Sequence, residues 1–142
     1  LFRSPYHKEI AGKQTVNFNI SHSGEFILEG FAVGMDIGVD VQEMAGCPDY
    51  REIAGNFYTA EEAEDVINEG PELFFQYWAA KEAYVKAIGI GLGRGMDFFS
   101  VRNGEITEKG RKGQGWHLYP VKIEGYAAYV AAHKKGDKSN EL

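Results

Sequence analysis

"PELFFQYWAAKEAYVKAI", residues 71–88, decides what kind of fold this chain can build. Proline suits the first turn of a helix, where its missing N–H is not needed, and the glycines of "GIGLGRG" (89–95) end the run. The stretch therefore predicts a helix from Pro71 to about Ile88. Its apolar residues spread over more than one face, so most of the helix is expected to be covered. Trp78, Glu82 and Lys86 stand four apart and share a face. An acid and an amine on a covered helix need partners, because burying an unpaired charge is expensive.

Before this helix, Thr59 and Glu62 form a capping box ahead of "AEEAEDVIN" (60–68), which Gly70 ends. "PDYREIAGNF" (48–57) is a short helix candidate. Earlier still, "QTVNFNI" (14–20) and "FILEGFAV" (26–33) have the aromatic and branched content of strands. "DIGVDVQ" (36–42) alternates, with Ile37, Val39 and Val41 on one face and Asp36, Gly38, Asp40 and Gln42 on the other. With the apolar three facing the core, Asp40 is expected on a rigid strand and pointing away from it. The expected unit is an antiparallel pair.

After the helix, "DFFSVRNGEIT" (97–107) reads as a hairpin about Asn103-Gly104. "WHLYPVKI" (116–123) and "YAAYVAAH" (126–133) read as two more strands about Glu124-Gly125. Strands, then helices, then strands predict an α+β domain whose antiparallel sheet packs against helices, not a parallel βαβ array. "GIGLGRG" follows a helix rather than a strand, so its glycines lack the context of a dinucleotide-binding loop.

The whole chain agrees with one globular domain: 142 residues, 44% hydrophobic and 13% aromatic. A net charge of −6 argues against a nucleic-acid module. The single cysteine, Cys47, excludes an internal disulfide and a cysteine-rich zinc site and suits a reducing compartment. No apolar run approaches the roughly 20 residues needed to span a bilayer. The N-terminus lacks a charged leader followed by an apolar segment. A soluble, cytoplasmic protein is expected, with no membrane or nucleic-acid partner.

Asp40 and Glu82 are the two acids placed where a carboxylate needs company. A hard cation such as Mg²⁺ would supply it, since Mg²⁺ is commonly held by one or two carboxylates, waters and substrate phosphates. Equally, Asp40 could face solvent and Glu82 could pair with Lys86, a helix pair worth roughly 0.3–0.5 kcal/mol. His22, in "NISHSGE" (19–25), is either a turn residue or part of an anion site made with amides and hydroxyls. Lys109, Arg111 and Lys112 in "EKGRKGQG" (108–115) read as a solvated hairpin end, or as a surface for an acidic partner. His7, His117 and His133 have no second ligand at metal-like spacing.

Three stretches taken together shift the balance between these readings: "FNISHS" (18–23), "IGVDVQ" (37–42) and "WAAKEAYVK" (78–86). In this order they resemble the 4′-phosphopantetheinyl transferases of the surfactin-synthetase-activating type. That family's patterns are a Ser-His-Ser turn, a Gly-[Ile/Val]-Asp-x-Glu strand and a Trp-x-x-Lys-Glu-[Ala/Ser]-x-x-Lys helix. "NFYTAEEAE" before the helix and "GIGLGRGMDFFSV" after it extend the likeness over about residues 6–133.

The resemblance implies an enzyme that moves the phosphopantetheine group of coenzyme A onto a serine of an acyl or peptidyl carrier protein and releases adenosine 3′,5′-bisphosphate. Asp40 and Glu82 would hold Mg²⁺ against the coenzyme A diphosphate. Glu82 would also accept the serine proton, directly or through a water, and Lys86 would lie beside the diphosphate and stabilise or protonate the leaving phosphate. Ser21, His22 and Lys8 match coenzyme A-binding positions, Lys8 lying in "YHKE" (6–9) where the family has Tyr-Gly-Lys-Pro. Gln42 replaces the family's strand Glu, so a carbonyl oxygen stands where a third carboxylate is usual, as a ligand of the metal or of a bound water.

Enzymes of this type have two similar α+β halves with coenzyme A between them. Residues 1–25 are then expected to be a remnant of an upstream half or linker, 26–134 the catalytic half, and 135–142 a solvated tail. A first residue of Leu favours a fragment over a short form that completes its cleft as a homo-oligomer. The alternative function is a non-catalytic module that holds coenzyme A or a carrier protein.

Overall fold

A computed structural model describes residues 6–10, 14–91 and 95–134. Among these residues the arrangement is α+β: four strands, three α-helices, then four strands, with every strand pair antiparallel. The expected solvated tail, 135–142, lies outside the described residues, as do residues 92–94 of the glycine-rich loop.

Strands β1 (Tyr6–Ile10), β2 (Gln14–Ser23) and β3 (Phe26–Val33) form one sheet in that order. β4 (Met35–Glu43), β8 (Tyr126–Lys134) and β7 (Trp116–Pro120) form a second. The expected antiparallel pair is β2 with β3, not β3 with β4. Gly34, at φ 64°, turns the chain out of the first sheet, and β4 pairs with the distant β8. A left-handed φ without strain is what glycine supplies there.

The "DFFSVRNGEIT" hairpin shrinks to a single bridge, Ser100 with Thr107, around Asn103-Gly104 at φ 58° and 71°. The laddered hairpin follows it: β5 (Thr107–Glu108) with β6 (Arg111–Lys112), turning at Lys109-Gly110. Phe98 and Phe99 do not extend into a strand because Phe99 is buried in the core against Tyr84, with ring centroids 4.7 Å apart. Arg111 and Lys112 are exposed, as a solvated hairpin end should be.

Helices α1 (Tyr50–Phe57), α2 (Ala60–Glu69) and α3 (Pro71–Ile88) follow the sequence expectations closely. The capping box is formed: Thr59 Oγ1 accepts from Glu62 N, and Glu62 Oε1 accepts from Thr59 N. α3 lies on the second sheet at a point where β4 has no side chain. A Cβ on Gly38 would sit 2.0 Å from the Ala83 carbonyl oxygen and 2.6 Å from Ala87 N. Gly38 and the buried Ala83 and Ala87 thus set how near helix and strand approach.

β4 is buried on both faces. Ile37 and Val39 fit over Gly30 of β3, where a Cβ would meet them at 2.8 and 2.6 Å. Asp36, Gly38, Asp40 and Gln42 share the face that meets α3. Asp40 therefore does not point away from the interior, and it is only 5% exposed. A strand between a sheet and a helix has no solvent face to offer it.

Because β4 ends its sheet, one edge of its backbone is paired by no strand among the described residues. Side chains from the inner face of β2 cover that edge. Asn17 Nδ2 donates to Met35 O; Asn19 Oδ1 accepts from Val39 N at 2.9 Å; Ser21 Oγ accepts from Val41 N at 3.2 Å; Ser23 Oγ accepts from Glu43 N at 2.9 Å. The first sheet is accordingly inverted in polarity: Asn17 and Asn19 are buried, while Ile27, Phe31 and Val33 are exposed.

A second buried polar group ties α2 and α3 to the loop after them. Lys81 Nζ pairs with Glu62 Oε1 at 2.7 Å and donates to Met96 O and Phe99 O at 2.7 and 2.6 Å, with both side chains fully buried. Glu62 Oε2 also accepts from Val101 N at 2.8 Å. Removing one partner of such a pair leaves an uncompensated buried charge. Lys81→Met is therefore expected to lower unfolding free energy by about 3–5 kcal/mol. Urea denaturation checks this, and an unchanged midpoint would show that the pair stabilises nothing.

Candidate active site

The cap over the β4 edge ends at a cluster of ionisable groups. Asp40 (β4) and Glu82 and Lys86 (α3) are all nearly buried and electrostatically coupled. β4 and α3 meet face to face at Gly38, which brings Asp40, two residues along the strand, to the flank of the helix that carries Glu82 and Lys86. The helix spacing and the strand alternation each supply half of this arrangement.

Lys86 joins three elements. Its ammonium donates to Val39 O at 2.6 Å and to Ile20 O at 2.9 Å, so it closes the β4 edge alongside the β2 side chains. Asp40 takes one hydrogen bond on each oxygen: Ser21 Oγ to Oδ1 at 3.2 Å and Gln42 Nε2 to Oδ2 at 2.8 Å. Burial pushes the Asp40 carboxyl up to about 7, and the charge of Glu82 pushes the same way. Gln42, Lys86 and Ser21 oppose this without cancelling it.

The expected Ser-His-Ser turn is instead strand. β2 runs through Ser23, and the turn is Gly24-Glu25. Alternation along β2 then sends Ser21 to Asp40 and His22 to the opposite, exposed face, across from Ile27. Lys8 lies on β1 opposite Val16, five positions from Ser21, or roughly 16 Å along the strand. The structure thus gathers Asp40, Gln42, Glu82, Lys86 and Ser21 and places His22 on the opposite face of β2, while of Lys8 it describes only the backbone register on β1.

Sequence reasoning missed the bond from Ser21 to Asp40 and the cap it belongs to. A signal was present: Asn17, Asn19, Ser21 and Ser23 recur every second residue, the period of one strand face. It also missed Tyr129, which sits directly across from Asp40 on β8 and whose phenol burial pushes up.

Among the described residues, no group of three or more His, Cys, Asp and Glu side chains is gathered as a metal site. A hard cation held here would rest on two carboxylates. Their chemistry suits one: both are oxygen donors, and Asp40 is desolvated with only partial compensation. Among the described residues, no helix is long and apolar enough to cross a membrane.

The model of the 4′-phosphopantetheinyl transferase superfamily matches residues 36–132, a span that includes Asp40, Gln42, Glu82 and Lys86 but not Lys8, Ser21 or His22. The chain is 36% identical over 90 residues to the 4′-phosphopantetheinyl transferase Sfp of Bacillus subtilis, covering 61% of this chain and 39% of that protein. It is 36% identical over 99 residues to the 4′-phosphopantetheinyl transferase ffp of Bacillus subtilis, covering 67% and 42%. It is 31% identical over 146 aligned positions to the L-aminoadipate-semialdehyde dehydrogenase-phosphopantetheinyl transferase of Mus musculus, covering 87% and 47%. The chain spans less than half the length of each of these relatives.

The raised Asp40 carboxyl has a consequence for stability. Its folded value, about 7, exceeds its ordinary 3.8, so the folded protein retains a proton that the unfolded chain releases. Stability from this source is complete below about pH 4 and is lost as pH rises through 7. In EDTA, unfolding free energy is expected to fall by a few kcal/mol between pH 4 and 8 in the wild type relative to Asp40→Asn. Asp65 moves the opposite way, held low by the Arg102 guanidinium, and its window lies below pH 4. Parallel pH profiles for the two proteins would contradict the expectation.

Proposed function

Because the chain belongs to the 4′-phosphopantetheinyl transferase superfamily, we propose that it takes part in moving the 4′-phosphopantetheine group of coenzyme A to a serine of an apo acyl or peptidyl carrier protein, with release of adenosine 3′,5′-bisphosphate. The observation that carries this reading is the convergence of Asp40, Glu82 and Lys86 where β4 meets α3. We take its α+β arrangement, with α3 on the β4–β8–β7 sheet, to be the family's fold.

In this reading Asp40 and Glu82 hold Mg²⁺, with Gln42 beside them. The ion supplies charge neutralisation at the diphosphate. In phosphoryl transfer the protein mainly positions groups and stabilises charge, which suits a site of fixed carboxylates on a strand and a helix. The serine oxygen forms the new bond to phosphorus as the bond to adenosine 3′,5′-bisphosphate breaks. Glu82 accepts the serine proton, directly or through one water, as a positioned general base. Lys86 adds positive charge beside the leaving phosphate while its contacts with Ile20 and Val39 keep it in place. None of these steps needs His22 or Lys8.

The test is mass spectrometry of an apo carrier protein incubated with coenzyme A, Mg²⁺ and the protein at its natural full length. The carrier is expected to gain the phosphopantetheine mass. Glu82→Gln is expected to reduce transfer at least a hundredfold, the upper range of what a positioned base contributes being about 10⁴-fold. Circular dichroism of that variant should match the wild type. No mass gain with the wild type would overturn the proposal, and a variant as fast as wild type would remove Glu82 from the mechanism.

A further inference from the structure

Gln42 is where this chain departs from the pattern it otherwise follows, and the structure gives that residue a definite contact. It lies two residues beyond Asp40 on the same face of β4, and its Nε2 is 2.8 Å from Asp40 Oδ2. With Asp40 ionised, as a cation-holding carboxylate must be, the reverse orientation of the amide would put Oε1 against a carboxylate oxygen at that distance, two acceptors with no hydrogen between them. The other carboxylate oxygen takes the Ser21 hydroxyl at 3.2 Å. That hydroxyl's acceptor side is occupied by Val41 N, also at 3.2 Å, which directs its single hydrogen to Asp40.

We propose that Ser21 and Gln42 are positioning residues for Asp40, with Gln42 acting as a hydrogen-bond donor to the carboxylate and not as a cation ligand. This rests on reading Asp40 as a cation-holding carboxylate. Each Asp40 oxygen carries one neutral donor, and a carboxylate accepts about four hydrogen bonds in all, so lone pairs are left for a cation. A glutamate in place of Gln42 would bring a second negative charge to the same contact and no hydrogen to donate. Ser21 adds a mechanical link: its hydroxyl holds both the β4 backbone and the Asp40 carboxylate, so the carboxylate's direction is coupled to the closure of the β2–β4 contact. Ligand-orienting partners of this kind commonly change metal affinity 10–100-fold when removed.

Thermal unfolding in EDTA separates a donor from a ligand, because a pure cation ligand has no coupling to Asp40 when no cation is present. The midpoint shift of the Asp40→Asn/Gln42→Leu double variant is expected to differ from the sum of the single shifts by about 3 °C or more. Asp40→Asn with Ser21→Ala should be non-additive in the same way, with Ser21→Thr restoring the hydroxyl and the wild-type midpoint. Additive shifts in both cycles would overturn the proposal. Mn²⁺ titration followed by electron paramagnetic resonance supplies the readout that mere structural support would not move. Gln42→Leu and Ser21→Ala are expected to weaken Mn²⁺ about tenfold, and Gln42→Glu to strengthen it while lowering the cation-free midpoint. Unchanged Mn²⁺ affinity in folded variants would overturn the positioning role. Non-additive cycles in a wild type that binds no Mn²⁺ would overturn the cation reading, and the positioning role with it, while leaving the hydrogen bonds in place. Additive cycles with normal Mn²⁺ binding would instead remove only the positioning role.

Discussion

The uncovered backbone edge of β4 is the constraint on which the rest of this structure depends. Among the described residues β4 is the last strand of its sheet, and residues 37–41 are buried, so the outward N–H and C=O groups of that stretch reach neither another strand nor bulk water. A buried backbone group left without a partner costs about 1–3 kcal/mol, and a free edge also invites pairing with another chain. Asn17, Asn19, Ser21, Ser23 and Lys86 meet that demand with side chains. The polar inner face of the first sheet and the apolar residues left on its outer face both follow from it.

The candidate site is built from the same parts. Ser21 closes one position of the edge and also holds Asp40. Lys86 closes another and lies within the field of the carboxylates. An exposed helix pair between Glu82 and Lys86 would be worth only a few tenths of a kcal/mol. What raises the stakes is desolvation: Asp40 is kept from water by α3 and the first sheet, and its neutral donors compensate only part of its charge. That imbalance arises from packing rather than from the identity of any one residue.

Much of the fold was legible because it is local. Thr59 with Glu62, Gly70 with Pro71, and the glycines after Ile88 marked the helices through short-range hydrogen bonding and backbone preference, and α2 and α3 begin and end at those signals. The last hairpin was legible for the same reason, its strands lying on either side of Gly125. The partner of β4 was not, since β8 lies far along the chain and pairing at that separation leaves no local mark. Glu62 shows the limit most clearly. Its capping role was written in the three-residue spacing to Thr59, whereas its buried pair with Lys81 required two helices to be packed together.

By itself, the sequence determined the helices, the strand-helix-strand order and the motifs "GVDVQ" and "WAAKEAYVK", because helical turns, caps and strand alternation depend on neighbours a few residues away. It also determined the family, through residues 36–132. Only the tertiary structure decided which way Asp40 faces, that Ser21 and His22 part to opposite sides of β2, and that Gln42 lies against the Asp40 carboxyl. The reason is burial: a strand's two faces are equivalent until something covers them, and here α3 and the first sheet cover both.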